Sequence, residues 1–199
     1  MTYLTIVVED LVSESVINAM VGQLRPDWGV HNCIGKRGDG YIRAKLRGLN
    51  QAAEGMKIFA LADRDTLARC PVELRREWVA GPQHPNLVFR IAEMEVESWV
   101  LADADAVGEY LSIGAHRIPH DVDSIADPKQ FLVNLARNSR FSQIREGIAP
   151  TAGSTAAVGP MYNLLLCDLV AQHWSLDRGR ARSRSLNRAA VRMLELFDR

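Results

Sequence analysis

Apolar residues recur along this chain in two rhythms, and the rhythms alternate. Thr2–Val8 is a β-branched, apolar run that ends at Glu9 and predicts a buried strand. Val12, Val16, Ala19, Met20 and Leu24 then fall at helical spacing, predicting a helix over Leu11–Leu24 capped by Asp10 or Ser13. Residues 29–34 predict a second short strand, 35–40 a glycine-rich loop and 41–53 a helix. Residues 56–62 predict another buried strand, which also ends at an acid, Asp63. A helix with proline in its first turn is expected over 71–78, and a further strand over 86–92. That strand leads into Glu95-Val96-Glu97-Ser98-Trp99 and a helix to Leu101. Short helical segments follow, then a Gly/Ser/Thr loop over 151–159 and two longer helices near 162–174 and 186–197.

Alternation over the first half implies an α/β fold: a mostly parallel sheet flanked by helices, with a helical C-terminal part. The expected organisation is an α/β domain over residues 1–110 and a helical extension over 111–199 packed on it, or one single domain overall. No internal repeat is visible.

Composition narrows the function classes. The chain has 199 residues, 47% of them apolar, enough for a sizeable core. Its 24 basic and 24 acidic groups balance, so no global attraction to nucleic acid is indicated. Residues 178–199 do carry seven arginines, which read as a solvated helical face or as phosphate contacts. Cys33, Cys70 and Cys167 are widely spaced, without a C-x-x-C, so neither a zinc knuckle nor a disulfide framework is expected; buried free thiols are. No apolar run reaches the ~18 residues of a membrane span and no leader opens the chain, so no membrane association and a cytoplasmic location are expected.

Carboxylates carry the chemistry. Three predicted strands end in acids: Glu9, then Asp63-Arg64-Asp65, then Glu95 and Glu97. Ligands of open parallel sheets sit beyond the carboxyl ends of the strands. Carboxylates gathered there repel one another unless protonated or joined by a cation, so the pattern predicts a metal site. In an extended segment residues two apart point the same way, so Asp63 with Asp65, or Glu95 with Glu97, would share an ion. Lys36 and Arg37, in the glycine-rich loop before a helix, and Arg64 are the expected phosphate or nucleic-acid contacts. That loop lacks the G-x-x-x-x-G-K-[ST] pattern of a Walker A loop.

Other chemistries fit less well. The five histidines show no H-E-x-x-H pairing, and no serine sits in a G-x-S-x-G elbow. Cys70, in Arg-Cys-Pro, is expected to be buried rather than an activated thiol. Trp78, Trp99 and Trp174 are expected to pack helices.

An apolar strand ending in glutamate, followed by one ending in D-x-D, resembles the Toprim domain of topoisomerases, bacterial primases and overcoming-lysogenization-defect nucleases. The resemblance implies a Toprim-like, Rossmann-like fold, with Glu9 in acid–base work or metal binding and Asp63 and Asp65 as a metal-binding pair. Where Toprim domains place glycine after the glutamate, this chain has Asp10. A wider likeness covers almost the whole chain and includes Val8-Glu9-Asp10, Cys70-Pro71, His84-Pro85-Asn86-Leu87, Asp127-Pro128-Lys129-Gln130, Gly159-Pro160-Met161-Tyr162-Asn163 and Ser185-Leu186. Its most specific segment is E-x-E-x-W-x-L-A-D at Glu95–Asp103. These residues are similar to a Toprim-like bacterial domain family of unknown function, often encoded beside AAA-type ATPases.

The expected function is therefore a Mg²⁺- or Mn²⁺-dependent phosphodiesterase or nuclease, with nucleic acid as substrate and an ATPase partner in phage defence. Its metal ligands would come from Glu9, Asp63, Asp65, Glu95 and Glu97, with Glu9, Asp63 and Asp65 catalytic. A non-catalytic Toprim-fold module that binds nucleic acid or the ATPase is the alternative. A lesser one follows from Asp63-Arg64-Asp65-Thr66, which matches the D-x-D-x-T nucleophile motif of haloacid-dehalogenase-type phosphatases. That family needs a downstream lysine, and none lies between Lys57 and Lys129.

Overall fold

A computed structural model describes residues 2–36, 39–64, 70–79 and 81–199, without the side chains of Asp39 and Pro71. Four strands, β1 (Thr2–Val8), β2 (Trp28–Gly35), β3 (Ile58–Ala62) and β4 (Leu87–Ile91), form one parallel sheet in the order β2-β1-β3-β4. The first three helices, α1 (Leu11–Leu24), α2 (Asp39–Ala52) and α3 (Pro71–Val79), connect them. The chain is thus α/β, with helices on both sheet faces.

Burial on both faces explains why the inner strands read as unbroken apolar runs. Phe59 and Leu61 of β3 join a large cluster with α1 and the later helices, while Ile58, Ala60 and Ala62 join a second with α2 and α3. On β4, Val88 faces the first cluster and Leu87, Phe89 and Ile91 the second. Trp78 lies against this second face, stacked on Phe89 at 5.8 Å, so it packs a helix on the sheet.

After β4 the chain is helical: α4 (Val96–Ala102), α5 (Ala104–Leu111), α6 (Pro128–Ala136), α7 (Ser142–Ile148), α8 (Tyr162–Gln172), α9 (Leu176–Arg180) and α10 (Arg184–Phe197). Leu186 and Met193 of α10 share the large cluster with Leu4 and Ile6 of β1, so residues from both expected spans build one core. Trp99 of α4 is fully buried and donates its indole N–H to Ser185 Oγ of α10 at 3.1 Å. Trp174 donates in turn to the Trp99 carbonyl at 3.1 Å. No described helix is long and apolar enough to cross a membrane.

Element ends differ from expectation by a few residues, and caps account for some of the shifts. Asp10, not Ser13, caps α1, accepting from Ser13 N at 2.8 Å. Ser183 caps α10 by accepting from Leu186 N at 3.0 Å, which starts that helix two residues early. Gly35 closes β2 rather than opening a loop. With φ at +116°, a Cβ there would stand 2.1 Å from the Val8 carbonyl oxygen, so only glycine fits.

Three expectations are corrected. Cys70 is exposed, not buried: it precedes Pro71, and its carbonyl accepts from Leu74 N at 3.0 Å in the first turn of α3. Cys33 and Cys167 are half-buried. The arginines after residue 178 are not simply a solvated face. Arg178 binds Asp103, Arg180 binds Asn187, and Arg182 donates to the carbonyls of Ile118 and Pro119, tying the C-terminal helices down. Finally, Glu95 and Glu97 do not share an extended segment. Glu95 is the extended residue before α4 and Glu97 lies in its first turn, so strand alternation does not align them.

Candidate functional site

The sheet register brings Glu9 to Asp63. Val7 pairs with Ala60, so two residues further on Glu9 is level with Ala62, the last residue before Asp63. There Glu9 Oε1 accepts from Asp63 N at 3.0 Å. On the other side Ala62 pairs with Ile91, and the ladder continues past the strands: Ala92 N donates to Ala62 O at 2.9 Å and Arg64 N to Met94 O at 2.7 Å. This tie carries the start of α4 to Asp63, whose Oδ1 accepts from Val96 N at 2.9 Å.

Two residues without an expected role complete the cluster. Lys129, in the first turn of α6, puts its ammonium 3.4 Å from Glu95 Oε1 and 3.5 Å from Glu97 Oε1. Its backbone N–H also donates to Glu95 Oε2 at 3.1 Å. Tyr162, opening α8, donates its hydroxyl to Glu97 Oε1 at 2.9 Å. Glu97 itself is 0% exposed, and its Oε2 has no hydrogen-bond partner among the described residues. Both new residues lie in segments that carry the wider likeness, but no short-range spacing joins them to the acids. A lysine 32 positions after Glu97 becomes visible only through the packing of α4 on α6.

Electrostatics follow from burial. Asp63 is 8% exposed, and burial pushes its carboxyl well above the usual range, reinforced by Glu97, Glu9 and Asp10 and only partly offset by Lys129. Burial also raises Glu97, against the pull of Lys129. For Lys129 burial alone would favour the neutral amine, but Glu97, Glu95, Asp63 and Asp10 outweigh it and hold the ammonium charged. The Tyr162 phenol is raised by burial and by the Glu97 charge, so it stays a donor.

The other expected contacts are placed differently. Lys36 is exposed and pairs with Glu14 at 3.0 Å. Arg64 donates to the Glu93 carbonyl at 3.3 Å, with its guanidinium 4.0 Å from the Glu93 carboxylate. Arg37 and Asp65 lie outside the described residues.

Among the described residues no group of three or more His, Cys, Asp or Glu side chains is arranged to close on a metal ion. The donor chemistry nevertheless suits a hard cation. Mg²⁺ commonly takes one or two carboxylates and fills its other positions with water and phosphate, so a closed protein cage is not required. A buried carboxyl pressed toward neutrality at Asp63 and an orphaned Glu97 oxygen are the features a cation would relieve. Comparisons with protein-family models, with curated proteins and with solved structures returned no match to this chain.

Proposed function

We propose that the chain is a Toprim-like, Mg²⁺- or Mn²⁺-dependent phosphodiesterase acting on nucleic acid. The observation that supports this most is the excess of acids over cations at the carboxyl edge of the sheet. Glu9, Asp10, Asp63, Glu95 and Glu97 meet there, and Lys129 is the cation that the described residues bring to them. Glu9 and Asp63 would hold the ion, with Asp65 the further ligand that the D-x-D motif offers. A cation so held supplies neutralisation of phosphate charge and a lowered pKa for bound water.

The chain's own residues divide the remaining work. Tyr162 and Lys129 fix Glu97, and Lys129 also fixes Glu95, so the floor of the cluster is preset. The Lys129 side chain remains 33% exposed, so its ammonium can also meet a phosphate oxygen. The hydrogen bond from Asp63 N to Glu9 Oε1 ties the two strand ends together at a fixed separation, which orients whatever they bind. Phage defence with an AAA-type ATPase as partner belongs to this reading through the family likeness alone.

One observation favours a second reading. Lys129 already compensates Glu95 and Glu97, as expected of a module that binds nucleic acid or the ATPase without cutting it.

Calorimetry of Mg²⁺ and Mn²⁺ binding to wild type and Asp63→Asn tests the site. Wild type is expected to bind and the variant to bind at least about tenfold more weakly, on the order of 1.4 kcal/mol. Equal binding would remove the metal assignment. Cleavage assays on supercoiled, linear and single-stranded substrates, with and without the neighbouring ATPase, then separate enzyme from binding module.

A further inference from the structure

A second polar site lies at the sheet's edge and has the opposite charge. β4 is an edge strand, with α3 on one face and α10 on the other. Around that edge a cavity of about 300 Å³ is lined by Arg75 of α3, Arg90 of β4 and Arg188 of α10, with Ile91, Glu93 and Ser185. None of the three arginines forms a salt bridge among the described residues, and the buried Arg90 Nε has no hydrogen-bond partner there. Glu93, the acid on the rim, lies 4.0 Å from the Arg64 guanidinium and offsets the charge at Arg90 only in part. Ser185 Oγ accepts from Trp99 Nε1 at 3.1 Å and from Glu93 N at 3.2 Å, which leaves its hydroxyl proton free to donate.

A single arginine on an edge strand is accounted for as a guard against unwanted strand pairing. Three guanidiniums converging on one cavity from three elements are not. Guanidinium does not deprotonate in proteins, so the repulsion that solvent and Glu93 leave uncompensated is relieved by a bound anion. Arg90 is pushed below the usual arginine value by burial and by Arg75, Arg188 and Arg192, with Glu93 pulling the other way. Forked N–H donors match phosphate geometry, and a cavity near 300 Å³ is at the small end of ligand pockets.

We propose that this cavity is a phosphate-binding pocket that takes the phosphoryl group of a nucleotide or of a nucleic-acid strand. It stands independently of whether the carboxylate cluster cuts. Where both hold, the two sites serve one ligand. Glu93 on the pocket rim precedes Glu95 by two residues, at most ~7 Å of extended chain, so a strand seated in the pocket runs on toward the acids.

The test uses the full chain in EDTA, so that no divalent metal contributes. Inorganic phosphate, a nucleoside 5′-monophosphate and a short single-stranded oligonucleotide are titrated separately into wild type and Arg75→Gln/Arg188→Gln. Arg188 is exposed and Arg75 half-buried, so the pair is replaced without opening the core. Arg90→Lys, which keeps the charge but loses the fork, is the second variant. At least one probe is expected to bind wild type, with tenfold or greater loss in the double variant and a smaller loss in Arg90→Lys. Binding of phosphate and mononucleotide identifies a free ligand. Binding of the oligonucleotide alone, weakening steeply with salt, identifies a strand. Absence of binding by all three probes, or undiminished binding in the double variant, overturns the pocket, and metal calorimetry judges the carboxylate site separately.

Discussion

Two buried acids, Asp103 and Asp63, occupy opposite electrostatic situations a short distance apart in the sequence. Asp103, 1% exposed, joins four groups: Ala106 N at 3.3 Å, Ser175 N at 2.7 Å, and both Nε and Nη2 of Arg178 at 2.8 Å. Its charge is matched and its oxygens are occupied, so it fastens α5 to α9. Asp63, 8% exposed, accepts from Val96 N while Glu9, Asp10 and Glu97 crowd it. Neighbouring Glu97 keeps one oxygen without a partner. A protein that pairs Asp103 so fully does not lack the means to pair a buried acid. The open arrangement at Asp63 and Glu97 is a retained cost, and costs of this kind concentrate at binding sites.

Replacing Lys129, the cation that the described residues bring to the open cluster, should produce the largest effect. Lys129→Met leaves Glu97 buried without its counter-charge, a loss of about 3 kcal/mol in denaturant unfolding near pH 8. Glu97 is already raised by burial, and the variant raises it further. A raised folded pKa means the native state holds the proton longer than the unfolded chain, so the loss should shrink as pH falls toward 5. A loss that stays constant across that range would show that Lys129 acts by packing alone.

The closed cluster gives the next effect. Arg178→Met removes a bidentate partner from Asp103, at a cost of about 2 kcal/mol. The arginine side chain is 49% exposed, which keeps the figure at the low end. Metal or phosphate binding should not change, because Asp103 is occupied by structure. Altered metal affinity in this variant would merge the two clusters that the comparison separates. Tyr162→Phe should cost about 1–2 kcal/mol, since it deletes a donor to Glu97 but leaves Lys129 in place.

The same contrast marks what could be read from the amino acids. β1 and α1 were legible to the residue, because the β-branched run and the apolar spacing are local signals. So was the delivery of Glu9 and Asp63 to one edge, since each directly follows an apolar strand. Lys129 and Tyr162 were not, because their contact with Glu97 depends on how α6 and α8 pack on α4, and no periodicity encodes that. The E-x-E-x-W-x-L-A-D segment shows the mixture within nine positions. Glu95 and Glu97 face the cluster, whereas Trp99 and Asp103 hold helices together. Cys70 was misread because the burial habit of cysteine is statistical, while its place before Pro71 at a helix start is a surface position.

Asp63→Asn should give the smallest change in stability, and its sign carries the most information. The Asp63 carboxyl is raised by burial and acidic neighbours, so its native state binds a proton that the unfolded chain releases. Its contribution is therefore fully present below the unfolded value near 4 and is lost as pH rises through the raised folded value. Asparagine keeps the oxygen that accepts from Val96 N and presents an amide to the surrounding carboxylates. In EDTA at pH 8 the variant should be more stable than wild type by about 1 kcal/mol, and the gap should close as pH falls toward 4. Saturating Mg²⁺ should close the gap or reverse the order: at a hundredfold excess over the wild-type Kd, binding stabilises wild type by about 2.7 kcal/mol and a variant that binds tenfold more weakly by only about 1.4 kcal/mol. The same change made at Asp103 should destabilise under both conditions, because there the charge has a partner to lose. A variant at Asp63 that is less stable than wild type in EDTA would place the two acids in one class and remove the distinction on which the metal reading rests.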